Sequence, residues 1–307
     1  MASWNAVYKD LNSMNLPSPL EILRKGYLKN IYEHTKRNLI FYATNWTQQK
    51  NISPDVISIS DEDIQGFIET ISSLDPQNKS LDLILHSPGG LAEVVEQIVK
   101  ILRSKFDDIR VIIPFGAMSA ATMLSCSANE IFMAEHSFLG PIDPQFILQT
   151  QSGVQAIPAQ AILDQFEKAK SDISRNKNSS IIWLPMLQQY GPALLIQCEN
   201  AIKLSKSLVS EWLNNYMLSG TPSKSIEGVA SALATHTNFN SHYRHIDREA
   251  ARQIGLNIKN LEDDPILFDN VSSLFNATTI LFDTTAVVKL VENQNGIGIY
   301  KSQQPSK

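Results

Sequence analysis

Apolar positions along the chain change period most clearly between residues 81 and 145. Leu81, Leu83, Ile84 and Leu85 make a run of strand length that stops at Ser87-Pro-Gly-Gly90, where proline lacks a ladder donor and two glycines release the backbone. Leu91, Val94, Val95, Ile98, Ile101 and Leu102 then recur at helical spacing, which predicts an amphipathic helix over 91–105. Residues 110–114 read as the next strand. They lead into a run of small residues, 115–126, that predicts a tightly packed helix with Ser119 in its first turn, and 129–134 predicts a third strand.

Strands joined by helices of this length imply right-handed parallel crossovers, which bring strand C-terminal ends to one edge of a sheet. The glycine turn after the first strand and the serine turn after the second therefore meet. Unpaired backbone N–H groups at helix starts favour negative charge, so the two turns together suit an oxyanion, as acyl transfer requires.

The flanking pattern is weaker. Residues 1–17 are polar and predict an arm that orders on contact or a loose tail. Ile22, Leu23, Tyr27, Leu28, Ile31 and Tyr32 mark a helix whose other face, with Arg24, Lys25, Lys29 and Lys36, is expected in solvent. Residues 38–44 predict a strand. Ser60 followed by Asp61-Glu-Asp63 predicts a helix start, with Ile64, Phe67, Ile68 and Ile71 as its buried stripe. Beyond Gln145 the strand signal fades: 149–153 reads as a polar turn, 159–174 as a helix, 175–180 as a hinge, and a further helix starts at Pro192. Gly220 to Ser223 is a break, Asp247 to Gly255 a short helix with an Asp cap and a Gly stop, and Asp264-Pro265 opens a final helix reaching about Asn293, with an interruption near Asp283. The implied organisation is an N-terminal helical arm (1–37), an α/β domain (38–260) with a helical insertion at about 159–235, and a C-terminal helix and tail (261–307).

The 307 residues carry 26 basic and 31 acidic side chains, a net charge of −5, which argues against a nucleic-acid surface. Two cysteines are too few for a disulfide framework. No leader pattern and no apolar run approaching the roughly 20 residues of a membrane span are present, so a cytoplasmic protein is expected. The six histidines show no ligand spacing, and neither a metal nor a cofactor is expected. Ser87-Pro-Gly-Gly90 is not a dinucleotide fingerprint.

The runs Asp82-Leu-Ile-Leu-His-Ser-Pro-Gly-Gly90, Ala117-Met-Ser-Ala-Ala-Thr122 and His136-Ser-Phe-Leu-Gly-Pro-Ile-Asp-Pro-Gln145 resemble the serine dehydrogenase proteinase family, a branch of the ClpP and signal-peptide-peptidase superfamily. Gly90 and Ser119 stand 29 positions apart, the spacing of oxyanion glycine and nucleophile serine in ClpP. Asp61-Glu-Asp63 and Ala251-Arg-Gln-Ile-Gly-Leu256 extend the likeness. It implies a ClpP/crotonase-like fold: a twisted, largely parallel sheet with flanking helices and a helical C-terminal region. It also implies Ser119 as nucleophile, Gly90 and Ala120 as oxyanion N–H donors, and Pro88 and Gly89 as shapers of the substrate-binding turn. Alone, Ser119 would read as an ordinary N-cap.

The general base departs from the family pattern. The ClpP histidine position falls at Ile142 to Asp143, and the lysine of the Ser-Lys relatives falls at about Gln160, which accepts no proton usefully. His242, thirteen positions before Gly255, lies near the place of the ClpP acid, so His242 with Asp143 would form a rearranged triad. His136 is the alternative base, or simply a cap of its strand; His86 reads as a packed strand-end residue. The expected activity is ATP-independent serine peptidase action on a peptide or unfolded protein, in a homo-oligomer. The alternatives are a crotonase-like acyl-CoA enzyme, which needs the two amides but not Ser119, and a catalytically silent interaction protein.

Overall fold

The computed structural model describes residues 4–14, 18–48, 52–150, 153–188, 190–234 and 244–303. Helices α1 (Trp4–Ser13) and α2 (Pro19–Thr35) precede β1 (Asn38–Thr44). A short α3 (Pro54–Ile57) and α4 (Asp61–Ser72) lead to β2 (Ser80–His86), α5 (Ala92–Arg103), β3 (Asp108–Ile113), β4 (Gly116–Ala117), α6 (Ala120–Cys126), β5 (Glu130–Met133) and β6 (Phe138–Leu139). Next come the hairpin β7 (Gln145–Thr150) and β8 (Gly153–Pro158), then α7 (Ala159–Arg175), α8 (Ser180–Leu187), α9 (Leu194–Asn215) and α10 (Ser223–Ala234). The last elements are β9 (Ile246–Asp247), α11 (Arg248–Ile254), β10 (Ile258–Asn260), α12 (Pro265–Thr284), β11 (Val287–Asn293) and β12 (Gly298–Ser302).

Among the described residues the central sheet has seven strands in the order β10-β5-β3-β2-β1-β11-β12. The first five are parallel to one another, and β11 and β12 add antiparallel edges. Because both faces are covered, β1 and β2 are buried almost end to end rather than alternating. Ile40, Tyr42, Leu83 and Leu85 share one core with Phe67 of α4 and the stripe of α5, whereas Leu39, Phe41 and Ile84 face Leu28 and Ile31 of α2 and Val271 and Leu274 of α12. At the N-terminal ends of the strands the buried Asp82 carboxylate accepts from Arg37 and, at both oxygens, from Arg110, so β1, β2 and β3 share one charge-assisted tie. The twisted, largely parallel α/β architecture is the one expected from the crossovers.

Several expectations need correction. The final helix stops at Thr284, and 287–302 form the β11–β12 hairpin of the main sheet instead of a helix and frayed tail. Val287, Val288 and Val291 mimic a helical stripe because their neighbours Lys289 and Glu292 are polar; both are buried and ion-paired to residues far away in sequence. Arg24 is not in solvent. It is the basic partner of Glu292 inside the core, where it also donates to Thr278 Oγ1 at 3.0 Å. The N-terminal segment contains α1, whose Val7 packs on Ala277 and Ile280 of α12. Ile68 is exposed, and Asp63 takes a place on the buried face of α4. After Gln145 two strands flank the expected turn; Phe146, Leu148 and Ile157 pack on α7 and α9 while Ile147 and Val154 face outward. The hinge at 175–180 leads into α8, whose uncharged sequence gave no amphipathic stripe to read.

Candidate active site

The two turns do meet, through backbone. Ser87 N donates to Gly116 O at 3.1 Å and Met118 N to Ser87 O at 3.0 Å, so the chain leaving β2 pairs with the chain entering the serine turn. Gly89 N donates to Ser87 Oγ at 3.2 Å, which closes the glycine turn locally. Gly89 has φ 97°, and a Cβ there would stand 2.6 Å from Met118 O and 2.8 Å from Ala120 N. Only glycine fits, because the turn presses directly on the Ser119 segment. Gly90, φ 156°, is exposed; the position a Cβ would take is already held by the Ile59 backbone, 2.2 Å away at its oxygen.

Ser119 is half-buried at φ 50°, ψ −120°, a region that an L-residue enters only at a cost of about 1–3 kcal/mol. Its hydroxyl does not cap α6, and among the described residues no group hydrogen-bonds it. The ordinary N-cap reading of this serine therefore fails: its hydroxyl makes no bond to the helix it precedes. Every residue of α6 is buried, so Ser119 is where this helix reaches the surface. Among the described residues the amides of Gly90 and Ala120 have no acceptor. A strained serine, a glycine turn pressed against it and two unpaired amides at their junction can attack a carbonyl and hold the resulting oxyanion.

Thr122, in the quoted motif but assigned no role from sequence, locks the far side of the serine turn. Its Oγ1 lies 2.8 Å from Ala117 O and 2.9 Å from Gly140 O and accepts from Gly140 N at 3.1 Å. The segment leading to Asp143 is thereby fixed to the serine turn, and Ile142 N donates to Leu233 O at the end of α10. Asp143 is 2% exposed and accepts from Gln145 Nε2 at 3.0 Å. His242 lies outside the described residues. His136 is exposed and its Nε2 donates to Pro114 O at 3.1 Å, which matches the strand-cap alternative. His86 is enclosed by Trp46, Phe115 and Phe275, and burial pushes its pKa down to about 3 against an opposing hydrogen bond with the Gly116 backbone. It stays neutral at ordinary pH, and facing α12, it sits across the sheet from α6. Gln160 donates to Asp164 on its own helix. Burial raises the Cys126 thiol to about 12, so it is no nucleophile. Among the described residues no His, Cys, Asp and Glu group has metal-site geometry.

Fold and turns together define a ClpP-type α/β protein with a serine elbow. Residues 54–261 match the family model of ClpP-like SDH-type serine proteinases, and the chain belongs to that family. Two uncharacterized proteins of Methanocaldococcus jannaschii are similar: MJ0137, 30% identical over 175 residues (55% of this chain, 59% of that one), and MJ1495, 31% identical over 174 residues (52% and 54%). The chain thus spans little more than half the length of these relatives. Two structures of the 1510-N membrane-bound stomatin-specific protease, both mutants and one in complex with a substrate peptide, share 17% identity at a TM-score of 0.41. They cover 69% and 81% of this chain, and 79% and 84% of their own. No helix among the described residues is long and apolar enough to cross a membrane.

Proposed function

We propose that the chain is a serine peptidase acting on peptides or unfolded protein segments without ATP. The observation that carries this reading is Ser119 held at φ 50°, ψ −120° against the Gly89-Gly90 turn, with two amides unpaired beside it. In the proposed reaction Ser119 Oγ gives its proton to the base and attacks the scissile carbonyl, the Gly90 and Ala120 N–H groups bind the developing oxyanion, the C–N bond breaks as the amine leaves with that proton, and water then hydrolyses the acyl ester to the acid and free Ser119. Strain and the absent cap bond favour a chemical role, since neither helps the fold. For the base we propose His242 oriented by Asp143, supported by the tie from Thr122 to Gly140 and by the bond from Ile142 to the helix that precedes 235–243 in sequence. An open groove of about 690 Å³ is lined by Glu93, three residues past Gly90 in sequence, and by Phe146, Asn200 and Leu204; its mixed apolar and polar lining suits a peptide.

Fluorophosphonate labelling tests the reading. Labelling that disappears in Ser119→Ala supports the peptidase; acyl-CoA binding without labelling supports the crotonase-like alternative, which uses the same two amides.

We also propose a cytoplasmic homo-oligomer. The apolar faces of α2 and α12 cover each other, so they lend this no support. The support is α8, where Ile181 and Ile182 are 75% and 71% exposed on a helix without a charge. A monomer of 34.2 kDa by light scattering that cleaves peptides would refute assembly as a condition of activity.

A further inference from the structure

We infer that Lys289 and Asp63 are a positioning pair that aims the Gly90 amide, a role that rests on the peptidase reading of Ser119. Lys289 lies on β11, outside the residues the family model matches. Its side chain is 5% exposed and that of Asp63 is 4% exposed. Lys289 Nζ donates to Ser58 O at 2.6 Å and to Asp63 Oδ2 at 2.9 Å. The same carboxylate oxygen accepts from Ser60 N at 2.8 Å and from Tyr42 OH at 3.1 Å. The peptide groups on both sides of Ile59 are therefore anchored to one buried ion pair.

Ile59 passes that anchorage on. Its N–H donates to Gly89 O at 2.7 Å and its carbonyl accepts from Leu91 N at 3.0 Å, which brackets Gly90. The peptide unit joining Gly89 to Gly90 is planar and trans, so its N–H points opposite to its carbonyl. Holding the Gly89 carbonyl on Ile59 fixes the Gly90 N–H outward, away from Ile59, as an oxyanion donor must be. A peptide unit with glycine on both sides has little steric resistance to flipping, and a flip would present oxygen where a donor is needed. The turn thus depends on an external clamp. A buried ion pair contributes little net stability over an apolar replacement of the same shape, so its effect here is on geometry. Burial lowers the Lys289 pKa and the Asp63 charge opposes that shift, which keeps the ammonium available as donor.

The test compares wild type with Lys289→Met, Asp63→Asn and the double variant. In each folded variant kcat and the fluorophosphonate labelling rate should fall 10- to 100-fold, below the roughly 10²- to 10³-fold for outright loss of an oxyanion donor. KM should stay within about twofold, the pH profile should not shift, and peptide affinity in a Ser119→Ala background should be unchanged. Amide exchange at Ile59 and Leu91 should accelerate at least tenfold. Wild-type kcat in a folded variant overturns the inference, as does an equal loss of peptide affinity. The double variant leaves no unpaired buried charge and carries the test if single variants do not fold; its own failure to fold would make the pair a folding element and overturn the inference. A wild-type protein without serine reactivity counts against the peptidase reading alone, because the exchange rates still decide whether the clamp exists.

Discussion

Replacing Ser119 by glycine should stabilise the protein while destroying its activity. At an ordinary N-cap, serine to glycine costs a few tenths of a kcal/mol. Here no cap bond exists to lose, and φ 50°, ψ −120° is a glycine conformation, so the exchange releases about 1–3 kcal/mol of strain. Against this stands the larger unfolded-state entropy of glycine, about 0.5–1 kcal/mol. The net gain is about 1 kcal/mol, equivalent to about 2 °C in Tm for a chain of this size. Ser119→Ala keeps the strained backbone and should sit near wild type. Urea unfolding of the three proteins, with unchanged m-values, measures the order. A Ser119→Gly protein less stable than wild type would mean the backbone is relaxed there, and would remove the strain argument for a chemical role.

Gly89→Ala should lose activity and stability together, because its methyl group would meet Met118 O and Ala120 N; full peptidase activity in this variant would show that the turns are not pressed together. If His242 and Asp143 act as a unit, His242→Ala and Asp143→Asn should each lose activity and the double variant little more, measured as kcat/KM; additive losses reject the shared unit, and loss only in His136→Ala makes His136 the base. His86 has a folded pKa of about 3, below its unfolded value near 6.5, so between these values the unfolded state binds the extra proton and stability falls as pH falls. From pH 7 to pH 5 this group alone should remove about 2 kcal/mol; urea titrations of wild type and His86→Leu should differ by about that amount, and parallel curves would show that His86 titrates normally.

The half of the fold that carries the glycine and serine turns was legible because its signals are local. A proline and two glycines end β2, and a run of small residues builds α6, within a stretch where each strand is apolar and each crossover short. The C-terminal strands were not legible, since Lys289 and Glu292 look like surface residues until Asp63 and Arg24 are known to be their neighbours. The same holds for Arg24 and Asp63 read from their own helices. Hairpin β7–β8 escaped because its outward positions, Ile147 and Val154, are as apolar as its inward ones, so alternation was lost. For the site, the meeting of the two turns followed from the crossovers and the parts assigned to Gly90, Ser119 and Ala120 from the family resemblance, whereas the base depends on side-chain reach across elements distant in sequence.

The placement of β11 beside β1 also has a consequence for biosynthesis. Residues 38–44 are synthesised about 240 residues before β11, so the edge of β1 that β11 covers remains open until residues 287–293 have been made. Such long-range pairing is slow to form. Ser119 and the glycine turn are synthesised before that strand, but the ammonium that holds Ser58 arrives with it. If the proposed peptidase reading and the Lys289 clamp both hold, a nascent chain would gain activity only once β11 docks, after the serine and glycine turns have been made.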